Sequence, residues 1–203
     1  PMRYFITAIG TDSGKTIVSA IITEMLKADY WKPVQAGYPR DTETVQSLLT
    51  NKESKVHPEG YLLQTPASPH ASARIDQVEI RLDNFKIPQV SGALVIEGAG
   101  GALVPINDQE VVIDMVKHFD CEIILVSDLY LGSINHTLLT IEALKHRSLP
   151  IKGIVFNGEA NEESEEIILS KSGLRDLLHI GKELKMSKSV IRKYADELQK
   201  NWE

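Results

Sequence analysis

The stretch FITAIGTDSGKTIVSAII, residues 5–22, decides the reading of the whole chain. A short apolar run passes through small and polar residues into Gly14-Lys15-Thr16, and a helix-periodic segment follows with Ile17, Ala20, Ile21 and Met25. Strand, glycine turn, lysine, hydroxyl and helix, in that order, make a phosphate-binding loop. Successive backbone N–H groups converge on phosphate oxygens at a helix N-terminus, the lysine adds charge, and the hydroxyl joins a Mg²⁺ shell. The usual loop carries a glycine five positions before Gly14, where this chain has Ile9. Gly10 is expected to give the turn its freedom at positive φ. The plainer reading, a turn with a solvated surface lysine, leaves the flanking strand and helix unexplained.

Working outward, buried strand-like runs alternate with amphipathic stretches. Residues 3–9, 30–37, 93–101, 122–128 and 151–158 read as strands; 15–28 and 133–147 read as helices. Such alternation predicts parallel pairing with right-handed crossovers, hence a three-layer, doubly wound, mostly parallel α/β sheet of the P-loop NTPase type. The 203 residues are expected to form one domain. Residues 51–90 read as an irregular excursion at the carboxyl edge of the sheet, and 161–203 as a solvated helical cap. Pro1, ahead of Met2, is set aside as a remnant.

The net charge of -6 argues against a surface made for nucleic acid. Cys121 is the sole cysteine, which excludes an intrachain disulfide, and its apolar neighbours (EIILV) predict a buried structural thiol. No apolar run reaches the eighteen residues of a membrane span, and no leader peptide is expected, so the chain is read as cytoplasmic.

Four further segments fall where strands end, the edge at which doubly wound sheets bind ligands. They are Lys32-Pro33-Val34-Gln35-Ala36-Gly37, Asp41-Thr42-Glu43-Thr44, Thr65-Pro66-Ala67-Ser68-Pro69-His70 and Glu97-Gly98-Ala99-Gly100-Gly101. Singly, each has a plainer explanation: a solvated lysine, an acidic first helical turn, a hydrogen-bonded loop histidine. Glu97 differs, because a carboxylate closing a buried apolar strand costs desolvation unless a cation or donor meets it.

In this order, and with Pro105 and Leu131-Gly132-Ser133-Ile134-Asn135-His136, these segments resemble the dethiobiotin synthetase family over residues 3 to 158. The family loop reads like GTDTxVGKT; laid on residues 8–16 it puts Ala8 at the first glycine and Asp12 at an acidic loop position. The resemblance implies an ATP-dependent cyclo-ligase that uses Mg²⁺, a diamine (7,8-diaminononanoate) and CO2, and works as a homodimer with a shared site. It implies catalytic roles for Lys15 and Lys32, nucleotide contacts from Asp12, Ser13, Gly14, Lys15, Thr16, Ile17 and Glu97, and base reading by Asn157. It also implies substrate contacts from Thr11, Lys32, Ala36, Gly100, Gly132, Ser133 and Asn135, and a metal shell of Thr16, Glu43 and Glu97. Ala36 stands where relatives often have a hydroxyl, Glu43 where they have aspartate, and residues 172–184 lack two prolines that help hold the base.

Three rivals share parts of this pattern. A partitioning ATPase would carry an extra loop lysine where this chain has Gly10. An amidating synthetase of cobalamin precursors would need a fused glutaminase domain, for which 203 residues leave no room. A degenerate nucleotide-binding scaffold is the third.

Overall fold

Strand-forming apolar runs become strands buried on both faces, which is why they read as continuous rather than alternating. The computed structural model describes residues 1–203. Six strands form the main sheet: β1 (Arg3–Ala8), β2 (Asp29–Trp31), β5 (Leu94–Glu97), β6 (Glu122–Asp128), β7 (Ile151–Asn157) and β8 (Asp176–Ile180), in the order β2-β5-β1-β6-β7-β8. Every pairing in it is parallel. A separate two-stranded parallel sheet joins β3 (Val34–Ala36) to β4 (Tyr61–Leu63).

Alternate strand residues build two cores. Phe5, Ile96, Leu125 and Phe156 point to the face covered by α5 (Ser133–His146) and α6 (Glu162–Ser172). Ile6, Val95, Val126 and Val155 point to the face covered by α1 (Lys15–Leu26), α2 (Asp41–Leu48) and α7 (Lys188–Gln199). Two short helices, α3 (Pro69–Ile75) and α4 (Asp114–His118), belong to the connections flanking β5. The architecture is the three-layer, doubly wound P-loop type.

Three expectations change. Residues 30–37 are two strands, because Pro33 has no N–H to continue a ladder and the chain leaves one sheet for the other. The tail is no solvated cap: β8 is the sheet's sixth strand, and Ile191, Tyr194 and Leu198 of α7 are buried in the same core as α1. The first strand ends at the fully buried Ala8 and not at Ile9, so the position laid on the first family glycine closes β1 and Ile9 opens the loop.

Candidate active site

The loop between β1 and α1 turns on two residues with left-handed backbone, Asp12 (φ 59°) and Gly14 (φ 101°). Gly10 is not among them, so the freedom expected of it is supplied by Gly14. A side chain at Gly14 is excluded twice over: its φ disfavours any Cβ, and such a Cβ would lie 2.3 Å from Asn157 Nδ2. Asn157, at the end of β7, donates from that nitrogen to the Ser13 carbonyl at 2.9 Å and so holds the loop from behind.

Three segments distant in sequence converge beside the loop. Thr16 Oγ1 donates to Glu97 Oε1 at 2.9 Å. Lys32 Nζ donates to the same oxygen at 3.0 Å and to the Gly98 carbonyl at 3.0 Å. Its third contact is Asp41 Oδ2 at 2.7 Å. The other oxygen of Glu97 accepts from the Tyr30 hydroxyl at 2.7 Å. Glu97 and Lys32 are buried, and their mutual neutralisation is what makes that tolerable. Burial alone would depress the Lys32 ammonium, but Glu97 and Asp41 outweigh it and raise its pKa above the ordinary lysine value.

Lys15 is different. It lies along the loop with Nζ donating to the Gly10 carbonyl at 3.1 Å. Burial, aided by the charge of Lys32, lowers its pKa to about 8. A cation buried in this way without a carboxylate hydrogen-bonded to it is poised to gain from an arriving polyanion.

These groups face a cleft of about 620 Å³ lined also by Thr11, Asp12, Gly14, Ile17, Ala36, Gly100 and the Pro66–Pro69 segment. Ser13 is buried beneath the loop, and Asn157 stands behind it. His70 belongs instead to a second groove, of similar volume, between α3 and residues 106–110.

Glu43 is corrected. It lies on the outer side of α2, its carboxylate 66% exposed and 3.5 Å from Arg40. Arg40 is itself anchored by paired hydrogen bonds to Glu59, at 2.9 and 2.6 Å, and Thr42 donates to Glu59 at 2.6 Å. That network fixes the rotation of α2 and turns Asp41, its first residue, into the cleft. Gln35 completes the placement by accepting from the Asp41 N–H at 2.9 Å. Thr16, Asp41 and Glu97 thus gather hard oxygen atoms beside the Lys32 ammonium, a donor set suited to a small divalent ion that completes its shell with phosphate and water.

Gly132, Ser133 and Asn135 do not line the cleft. Gly132, not Ser133, is the N-cap of α5, with φ 105° and no side-chain cap. The Ser133 N–H is already given to the Tyr130 carbonyl at 2.9 Å, leaving Ile134 and Asn135 as the first-turn donors. Leu131 beside them is fully exposed.

Comparison with known proteins decides the family. A family model described as an AAA domain matches residues 2–189. The ATP-dependent dethiobiotin synthetase BioD of Cytophaga hutchinsonii is 57% identical over 202 residues, 98% of each chain. The chain belongs to the dethiobiotin synthetase family. BioD of Christiangramia forsetii is 46% identical over 98% of this chain and 97% of its own, and that of Rhodopseudomonas palustris 44% over 86% and 85%. Among solved structures, a ParA family ATPase from Chlorobium tepidum aligns with a TM-score of 0.57 at 11% identity, covering 98% of this chain and 92% of its own. The cell division ATPase MinD of Pyrococcus furiosus aligns at 0.58 and 13%, covering 98% and 99%. At such identities the likeness speaks for the fold, and the lysine those rivals were expected to carry is absent here at Gly10.

Proposed function

We propose that the cleft closes a diamine into a cyclic urea at the expense of ATP, making dethiobiotin from 7,8-diaminononanoate and CO2. The observation that carries this reading is the convergence of Lys32, Thr16, Asp41 and Glu97 beside the phosphate loop, because the chemistry must press two anions together.

One amine of the substrate adds to CO2 and loses a proton, giving a carbamate. A carbamate oxygen attacks the γ-phosphorus, and ADP leaves. The second amine attacks the carbonyl carbon of the resulting mixed anhydride and expels phosphate, closing the ring. Lys15 lies along the β- and γ-phosphates, and Lys32 sits between carbamate and transferring phosphoryl group; their charge offsets the repulsion of the reactants. Ser13, Gly14, Thr16 and Ile17 bring loop N–H groups to the phosphates, and Asp12 and Thr11 flank them on the substrate side. Mg²⁺ would be held by Thr16, Glu97 and Asp41, with Asp41 taking the part assigned to Glu43, and supplies further charge neutralisation when bound. Asn157 turns its Oδ1, which no protein donor engages, toward the amino group of adenine. In place of the missing prolines, the segment after β8 is tied by Tyr194, whose hydroxyl accepts from the Gly181 N–H at 3.0 Å and donates to Glu183 at 2.6 Å.

Gly100 and Ala36 border the diamine, Ala36 with one hydrogen bond fewer than a hydroxyl residue would make. The helix start at Gly132–Asn135 of a second copy receives the substrate carboxylate on its free N–H groups. Exposed Leu131, Tyr130 and Leu139 support such a homodimer, and ATP as co-substrate supports a cytoplasmic setting.

Incubation with diaminononanoate, bicarbonate and MgATP tests the reading. Phosphate release should depend on the diamine, and Lys15→Ala and Lys32→Ala should each lower it by orders of magnitude with the fold intact. Diamine-independent turnover would instead indicate a switch-type ATPase, and an active monomer in light scattering would remove the shared site.

A further inference from the structure

Tyr30 is wholly buried, yet its hydroxyl ends on a carboxylate. It lies on β2 opposite Val95 of β5, and Glu97 follows Val95 by two residues on the same face of the sheet. The ring therefore runs along that face and delivers its O–H to Glu97 Oε2 at 2.7 Å. Lys32, two residues after Tyr30, meets the opposite oxygen, Oε1, together with Thr16. Each carboxylate oxygen thus has its own assignment. We propose that Tyr30 is a positioning residue for the reaction: by holding Oε2, it commits Oε1 to Thr16, Lys32 and the cation that ATP brings. The inference rests on Glu97 serving as a metal ligand, as above.

The physical alternative makes the role concrete. With Glu97 only 1% exposed, water cannot replace a lost donor at Oε2. A phenylalanine would leave that oxygen bare, and the carboxylate would rotate to share Lys32 between its two oxygens. Oε1 would then no longer be held toward Thr16 and Lys32 together. Tyr30 does not line the cleft, so it acts on the reaction only through Glu97.

The test compares wild type, Tyr30→Phe, Glu97→Gln and the double variant. ATP affinity is measured calorimetrically with Mg²⁺ and with EDTA, alongside thermal unfolding and the Mg²⁺ concentration for half-maximal turnover. Tyr30→Phe should lower the Mg²⁺-dependent gain in ATP affinity about tenfold, the order expected for a hydrogen bond to a charged group. Affinity in EDTA should stay within about twofold, and the double variant should match Glu97→Gln, since the two residues act as one unit. A uniform loss with and without Mg²⁺, or no loss at all while Glu97→Gln is impaired, would overturn the proposal and leave the reading of the site standing. Wild-type metal dependence in Glu97→Gln would overturn both. Should Tyr30→Phe fail to fold, recovery of folding in the double variant would support the pairing, and failure of both would assign Tyr30 to packing alone.

Discussion

Lys32, in the link between β2 and β3, and Asp41, the first residue of α2, meet at 2.7 Å although nine positions apart. Their contact is fixed from outside the cleft, by the Arg40–Glu59 pair and the Gln35 side chain that set the start of α2. Two consequences separate neighbouring carboxylates on one helix. Asp41→Asn should lower turnover by about two orders of magnitude, within the range for removing a group that organises transition-state charge. Glu43→Gln should leave turnover within about twofold, because an exposed ion pair contributes little. Steady-state kinetics on the two variants checks this, and equal losses would contradict the assigned faces of α2.

The loop carries a second expectation. Gly14→Ala should reduce ATP affinity by at least about a hundredfold, since the substitution meets both a left-handed backbone and Asn157. Asn157→Ala would remove the obstruction but also the loop and base contacts of Asn157, and not the backbone strain, so the double variant should bind ATP no better than Gly14→Ala. Calorimetric titration with ATP distinguishes these; full recovery would mean that crowding alone requires the glycine.

Much of the sheet and loop was legible because buried parallel strands are continuous apolar runs, and the phosphate loop joins the first of them to a helix-periodic segment. What escaped has physical reasons. Asp41 and Glu43 stand two residues apart, about 200° around a helix, and no sequence pattern fixes which faces the cleft until Arg40 and Glu59 are seen to meet. The hydroxyl of Tyr30 was hidden because aromatic residues in a strand ordinarily signal packing. Its spacing of two from Lys32, just past the end of β2, was the available clue. β8 went unread because Asp176-Leu177-Leu178-His179-Ile180 is short and interrupted by polar residues. His179 is polar yet satisfied, paired with Glu165 and the Gly158 carbonyl, both at 3.0 Å.

The tail's structural part can be measured. Ile191 is fully buried on α7 against the face that carries α1. Ile191→Ala should cost about 3 kcal/mol, within the 2–5 typical of truncating a buried aliphatic side chain, and lower Tm by several degrees. Denaturant unfolding gives the number. A change under about 0.5 kcal/mol, the scale of surface substitutions, would return α7 to the status of a solvated cap.

Cys121 supplies the pH dependence furthest from the cleft. Burial, with Arg3 opposing and Asp120 adding a little, raises its thiol from 9.0 to about 12. In the unfolded chain the thiol ionises first, so between these values the folded state holds more protons and stability falls as pH rises. Below about 9 the contribution is fully present; it is lost as pH climbs toward 12. Cys121→Ala should therefore flatten the alkaline fall of Tm relative to wild type, whatever the cavity costs at neutral pH. The native thiol should also resist an aromatic disulfide reagent at pH 8 and react fully once the protein is unfolded. Rapid labelling of the native protein would show that the site opens without unfolding and would remove the basis for the alkaline term.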